Sequence, residues 1–177
     1  MGFGKAFLLS LVAFVGLNFI FTILYYLFSS DGLDALFTTI RDTPLMIFYY
    51  LFGSIVSNPY NNLEWLVVEP LLNDNMDNLI LGLGFFIAPL VAAILAGHFG
   101  ESKSQSFSGW LLTAIISSVV LIIVVLSELS PSFQDAITTT YGWSSVETII
   151  IYTTLSFLIN LVFYSFFTLM IFKTEYY

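Results

Sequence analysis

Four uninterrupted apolar runs constrain this chain more than any other feature. They cover about residues 6–28, 79–99, 110–129 and 148–172, and none has an acid or a base in its central portion. Roughly 20 apolar residues wound as an α-helix at 1.5 Å per residue cross about 30 Å of hydrocarbon. A helix satisfies its backbone N–H and C=O groups internally, which is what lipid demands, so each run reads as a span. Composition agrees: 58 % of the 177 residues are hydrophobic and 9 % charged, against roughly a quarter charged in soluble domains. The sequence predicts an all-α integral membrane protein. It is one domain of four transmembrane helices, with a long structured extracytoplasmic segment, residues 29–78, between helices 1 and 2. The first run follows Lys5, is too long for a cleavable signal core and leads into "YYLFSSDG", so it reads as a retained anchor.

The bases orient these spans. With the N-terminus in the cytoplasm, Lys5, Lys103 and Lys173 lie inside and only Arg41 lies outside, as the positive-inside rule requires. Both termini are then cytoplasmic in a multi-pass protein of the cell membrane. Glu101 and Glu175 face the cytoplasm. Asp31, Asp34, Asp42, Glu64, Glu69, Asp74, Asp77, Glu128, Asp135 and Glu147 face outward. Tyr25, Tyr26, Trp110, Tyr141, Trp143, Tyr176 and Tyr177 fall near span ends, where interfacial aromatics belong. The 12 acids, 4 bases and net charge of −8 exclude a nucleic-acid partner, which needs a basic patch. The chain has no cysteine, so thiolate chemistry and disulfides are absent. No Asn-X-Ser/Thr acceptor occurs either.

Residues 29–78 are too many for a plain connection. Ser30 or Asp31 can cap a short helix in which Leu33, Leu36, Phe37 and Ile40 recur at helical spacing. That pattern predicts an amphipathic helix on the outer surface. Asp42 or Thr43 then caps a second helix, with Pro44 in its first turn. Its apolar stretch, Leu45–Val56, is roughly 18 Å long and too short to span. Asn58-Pro59 stops it, and Leu63–Leu72 follows, carrying Glu64, Glu69 and Pro70. The pair reads as re-entrant or surface-lying helices. The alternative, a fifth span over 35–57, buries Arg41 and Asp42 and puts Lys5 and Lys173 on opposite sides.

Within the second run, Ala88, Ala92, Ala96 and Gly100 are spaced by four, with Ala93 and Gly97 beside them. Residues four apart share a helix face, so these form a smooth seam of the kind that packs membrane helices closely. Pro89 removes one backbone donor and predicts a bend. Asn18, Asn160, Ser117 and Ser118 lie near the middle of three different runs. Their shared depth predicts a contact between Asn18 and Asn160, joined by a serine. It serves either as cohesion between helices or as a polar step in a substrate path.

Candidate chemistry is sparse. His98 and Glu101 share a helix face but have no third ligand nearby. "NDNMDN", Asn73–Asn78, holds oxygen donors without an EF-hand's spacing, and Asp77 or Asn78 is placed to cap the second span. Glu64 and Glu69, on either side of Trp65, fall on different faces of an α-helix. No Gly-X-Ser-X-Gly or phosphate-loop motif is present. The spans bury no charge, the usual mark of an ion or proton pathway.

The sequence therefore predicts no enzyme, no cofactor and no metal site. It predicts a non-catalytic polytopic subunit of a larger membrane complex. Its partners are the lipid bilayer and other membrane protein subunits or identical copies, and the small-residue seam is available to a foreign helix. The alternative is a small channel or transporter component forming a neutral polar path by self-association.

Overall fold

The structure is a computed structural model that describes residues 2–29, 32–57, 59–72, 78–127 and 146–172. Expectations for Ser30, Asp31, Asn58, Asn73–Asp77, Glu128, Asp135, Tyr141, Trp143, Lys173, Glu175, Tyr176 and Tyr177 lie outside the described residues. Among the described residues there are helices and no strands.

Four helices are long and apolar enough to cross a membrane. They are α1 (Gly2–Phe28), α6 (Leu79–Phe99), α7 (Lys103–Ser127) and α8 (Val146–Ile171). Helices α6 and α7 touch each other, and both touch α1 and α8, so they form the inner pair. About 44 % of the apolar window of each inner helix is buried, against 22 % in α1 and 28 % in α8, whose outer faces stay open. The sequence reading begins the third span at Trp110, but α7 begins at Lys103. Trp110 is consequently fully buried near the bundle centre rather than at an interface. It meets Phe14 of α1 at 6.5 Å and Tyr164 of α8 at 5.7 Å between ring centroids.

The chain between α1 and α6 is built from short pieces. Gly32, at φ 69°, takes the left-handed backbone that glycine adopts without strain and opens α2 (Gly32–Asp42). Leu33, Leu36 and Ile40 of α2 pack onto α1 and the next helix, while Phe37 points outward. Three i→i+3 bonds across Thr43–Phe48 then turn the chain. The residue before α3 (Met46–Phe52) is Leu45, and it makes no side-chain capping bond, so neither Asp42 nor Thr43 caps this helix. The break at 43–45 also separates residues 35–57 into two helices rather than a continuous span.

Helix α3 runs into a 3₁₀ turn (Gly53–Ile55). The chain returns through α4 (Pro59–Leu63), a π turn (Glu64–Val68) and α5 (Glu69–Leu72). Pro59 suits a first helical position, where its missing N–H costs nothing. Pro70 explains the π turn. It cannot donate to Leu66, and its ring crowds that carbonyl. The bonding slips by one residue, and Glu69 N–H donates to Glu64 O. The result is a helical hairpin, Met46–Leu72, whose descending limb is about 15 Å long, half of a span. Its tip is seated in the bundle: Gly53, Ser54, Ile55, Val56 and Ser57 are all buried. Ile55 and Val56 join Phe14, Ala92, Trp110 and Tyr164 in the main core.

Candidate functional site

The tip ends in non-helical backbone, whose carbonyls need donors when buried. Asn160, near the middle of α8, supplies them. Its Nδ2 donates to Ile55 O at 2.8 Å and to Ser57 O at 2.9 Å. Ser57 Oγ donates to Asn62 Oδ1 at 2.6 Å, closing the hairpin on itself. Asn62 is fully buried, and its Nδ2 donates to Phe85 O of α6 at 3.3 Å. That last bond has a cause in the sequence. Phe85 is four residues before Pro89, so its carbonyl has lost its helical donor. Asn62 replaces that donor from another element. Tyr164 of α8 donates to the next carbonyl, Phe86 O, at 3.4 Å. Pro89 is therefore where both the hairpin and α8 are bonded to α6.

Above this buried polar layer, between α1, α3, the π turn and α6, lies a cleft of about 420 Å³. It is at the end of the bundle away from Lys5 and Lys103, where Gly2 abuts Glu101 and Gln105. Thr22, Met46, Leu81 and Asn78 line part of it. The other described residues of its wall are aromatic: Tyr25, Tyr26, Tyr49, Tyr50, Trp65 and Phe85. Tyr25 and Tyr26 meet at an interplanar angle of 84°, and Tyr26 and Tyr50 at 83°. Adjacent rings thus stand as walls at right angles. The Tyr26 and Tyr50 hydroxyls share a bond of 3.0 Å. On the opposite wall Trp65 lies 5.8 Å from Phe85 between centroids. Gly82 permits this wall, because a Cβ there would lie 2.8 Å from Trp65 Cβ.

The midplane contact expected from the sequence does not form. Asn18 Nδ2 donates to Phe14 O in its own helix at 2.8 Å, whereas Asn160 serves the hairpin. Ser117 Oγ donates to Thr113 O at 2.8 Å, also within its helix. Ser118 Oγ is buried without a protein partner. The reason is reach. An asparagine, serine or threonine in a helix can satisfy a carbonyl one turn back, and equal depth gives no preference to a distant helix.

The seam is filled from within the chain. Ala88, Ala92, Ala93 and Ala96 are fully buried. Helix α1 makes the most extensive contact with α6. It answers with a buried row of its own at four-residue spacing: Gly2, Ala6, Ser10, Phe14, Asn18 and Thr22. On the side of α8, a Cβ at Gly97 would collide with Thr168 O, and Thr168 Oγ1 bonds Ala93 O at 3.1 Å. Gly100 abuts Ser106 across the α6–α7 turn. This seam is therefore not open to a foreign helix, which corrects the sequence reading.

The remaining candidates stay apart. His98 is exposed at the end of α6, with its ring edge-on to Phe99. Glu64 and Glu69 are joined through backbone by the π turn rather than separated as on an α-helix. Asn78 occupies the N-cap position of α6 but makes no side-chain capping bond. Among the described residues no three of His, Cys, Asp and Glu gather to hold a metal. The cleft escaped the sequence reading because its walls come from four separated segments. Its one local signal was the density of rings in "YY" at 25–26, "FYY" at 48–50 and Trp65. No protein-family model, curated protein or solved structure matches the chain.

Proposed function

We propose that the chain is a multi-pass cell-membrane protein with both termini in the cytoplasm. It works as a non-catalytic binding subunit of a larger membrane assembly, and the aromatic cleft is its ligand site on the outer side. The observation that carries this reading is the seated hairpin. A half-length helical pair held in a bundle by Asn160 makes a built cavity rather than a flat surface, and irregular backbone at membrane depth is tolerated only under such protein cover. Apolar exposure along α8, including Ile151, Leu155, Leu158, Val162 and Phe166, supports a partner or lipid on that flank.

Single-cysteine variants test the orientation, because the chain has no cysteine of its own. Cysteines at Gly4 and Ser102 are expected to react with an impermeant maleimide only after the membrane is opened, and one at Asp34 to react in intact cells. The opposite pattern would overturn the reading. Mild solubilisation is then expected to bring down a different stable partner. A ring of identical chains would favour transport by self-association instead. That second reading draws on the buried polar atoms without protein partners at Ser10, Asn18, Ser54, Ser118 and Ser165. A clean monomer would count against both.

A further inference from the structure

We propose that the cleft binds a quaternary ammonium group, either a lipid headgroup or a free solute. This rests on the reading of the cleft as the binding site.

Three observations converge on that chemistry. The first is the arrangement of the rings. Tyr25, Tyr26 and Tyr50 meet near right angles, and Trp65 and Phe85 close the far side. Ring faces carry negative potential and attract a cation held within about 6 Å, and several faces set at angles surround it. The second is the character of the wall. Among the described residues, its side-chain polar groups are Thr22, Asn78, the tyrosine hydroxyls and the Trp65 indole N–H, and no described carboxylate lines it. A primary ammonium entering here would leave N–H donors poorly satisfied, and that is costly away from water. A quaternary ammonium has no N–H to satisfy and presents methyl groups to the rings. The third is charge. The segment from 29 to 78 carries Asp31, Asp34, Asp42, Glu64, Glu69, Asp74 and Asp77 against one base, Arg41. This net-negative segment also supplies Tyr49, Tyr50 and Trp65 to the cleft, and a negative field raises the local concentration of cations. The volume of about 420 Å³ lies within the usual range of small-ligand sites, roughly 300–1,000 Å³.

The test is equilibrium binding of radiolabelled choline to the full chain in phosphatidylglycerol nanodiscs, with empty discs subtracted. Saturable binding is expected. Ethanolamine and the uncharged isostere 3,3-dimethylbutanol should each compete about tenfold less well than unlabelled choline. Tyr50→Phe and Tyr26→Phe keep the ring and should retain binding. Tyr26→Leu should lose about tenfold, and Tyr25→Leu repeats the measurement on a second ring of the wall.

Repeating the measurement in phosphatidylcholine discs separates the sources. Choline binding suppressed at least tenfold assigns the cleft to a lipid headgroup, and unchanged binding assigns it to a free solute. Either outcome supports the ammonium chemistry. The proposal is overturned if the neutral isostere competes as well as choline, or if both Leu variants, folded by thermal unfolding, bind like the parent. Sided labelling that placed the cleft in the cytoplasm would instead overturn the reading beneath it and leave the binding result standing.

Discussion

Replacing Asn160 by Leu probes the hairpin directly. The side chain is fully buried, and its amide holds two backbone carbonyls at 2.8 and 2.9 Å. Leucine is close in volume, so the main effect is two acceptors left without a donor. Hydrogen bonds inside membrane proteins are worth about 0.6 kcal/mol on average and about 1.7 at most. Stranding a buried acceptor costs about 1–3 kcal/mol. Ile55 closes the 3₁₀ turn and Ser57 follows it, so both carbonyls lie at the end of the helical bonding, and the upper part of the first range applies. Two such bonds then put the loss near 2–3 kcal/mol, a shift of roughly 30- to 150-fold in seating of the hairpin.

The reporter is Ser54→Cys. Ser54 is fully buried at the tip, its hydroxyl has no protein partner, and the chain offers no competing thiol. In the Asn160→Leu background, maleimide labelling of this reporter is expected to accelerate by that factor while the long helices remain intact by circular dichroism. Asn62→Leu should accelerate it too. The double variant should add little, because both asparagines hold the same hairpin. Unchanged labelling in Asn160→Leu, or full additivity of the two losses, would refute the argument.

Four further outcomes follow from the same geometry. Asn18→Leu should cost only about 0.6 kcal/mol and add fully to Asn160→Leu in thermal unfolding, since the two side chains donate to different partners. Gly97→Ala should destabilise by about 1–3 kcal/mol, because the new methyl meets the α8 backbone at Thr168, which cannot rotate away. Gly16→Ala is its control: nothing lies within 4 Å of a Cβ there, and a gain of up to about 1 kcal/mol is expected. Pro89→Ala returns an intrahelical donor to Phe85 O, so Asn62 must share its acceptor, and labelling of the Ser54→Cys reporter should rise even though α6 itself becomes a better helix.

What the sequence determined alone was set by solvent and period. Runs of apolar residues longer than about 18 admit few readings, and the second run coincides with α6 at Leu79–Phe99. The ladder at Ala88, Ala92 and Ala96 was legible for a similar reason, since spacing by four specifies a face before anything packs on it. Pro44, Pro59 and Pro70 marked where the segment from 29 to 78 breaks, because a missing N–H acts locally.

What covers each face was decided only in three dimensions. The ladder specifies a close approach but not an occupant, and α1 and α8 of the same chain took that place. Asn18 and Asn160 have the same side chain at similar depth, yet one bonds its own helix and the other reaches the hairpin. Their partners depend on which buried carbonyls lack donors, and that follows from where the hairpin tip comes to rest. The carbonyl released by Pro89 and the amide of Asn62 lie 23 residues apart, a pairing that no local pattern encodes. Local rules state which groups need partners; only packing decides which partners arrive.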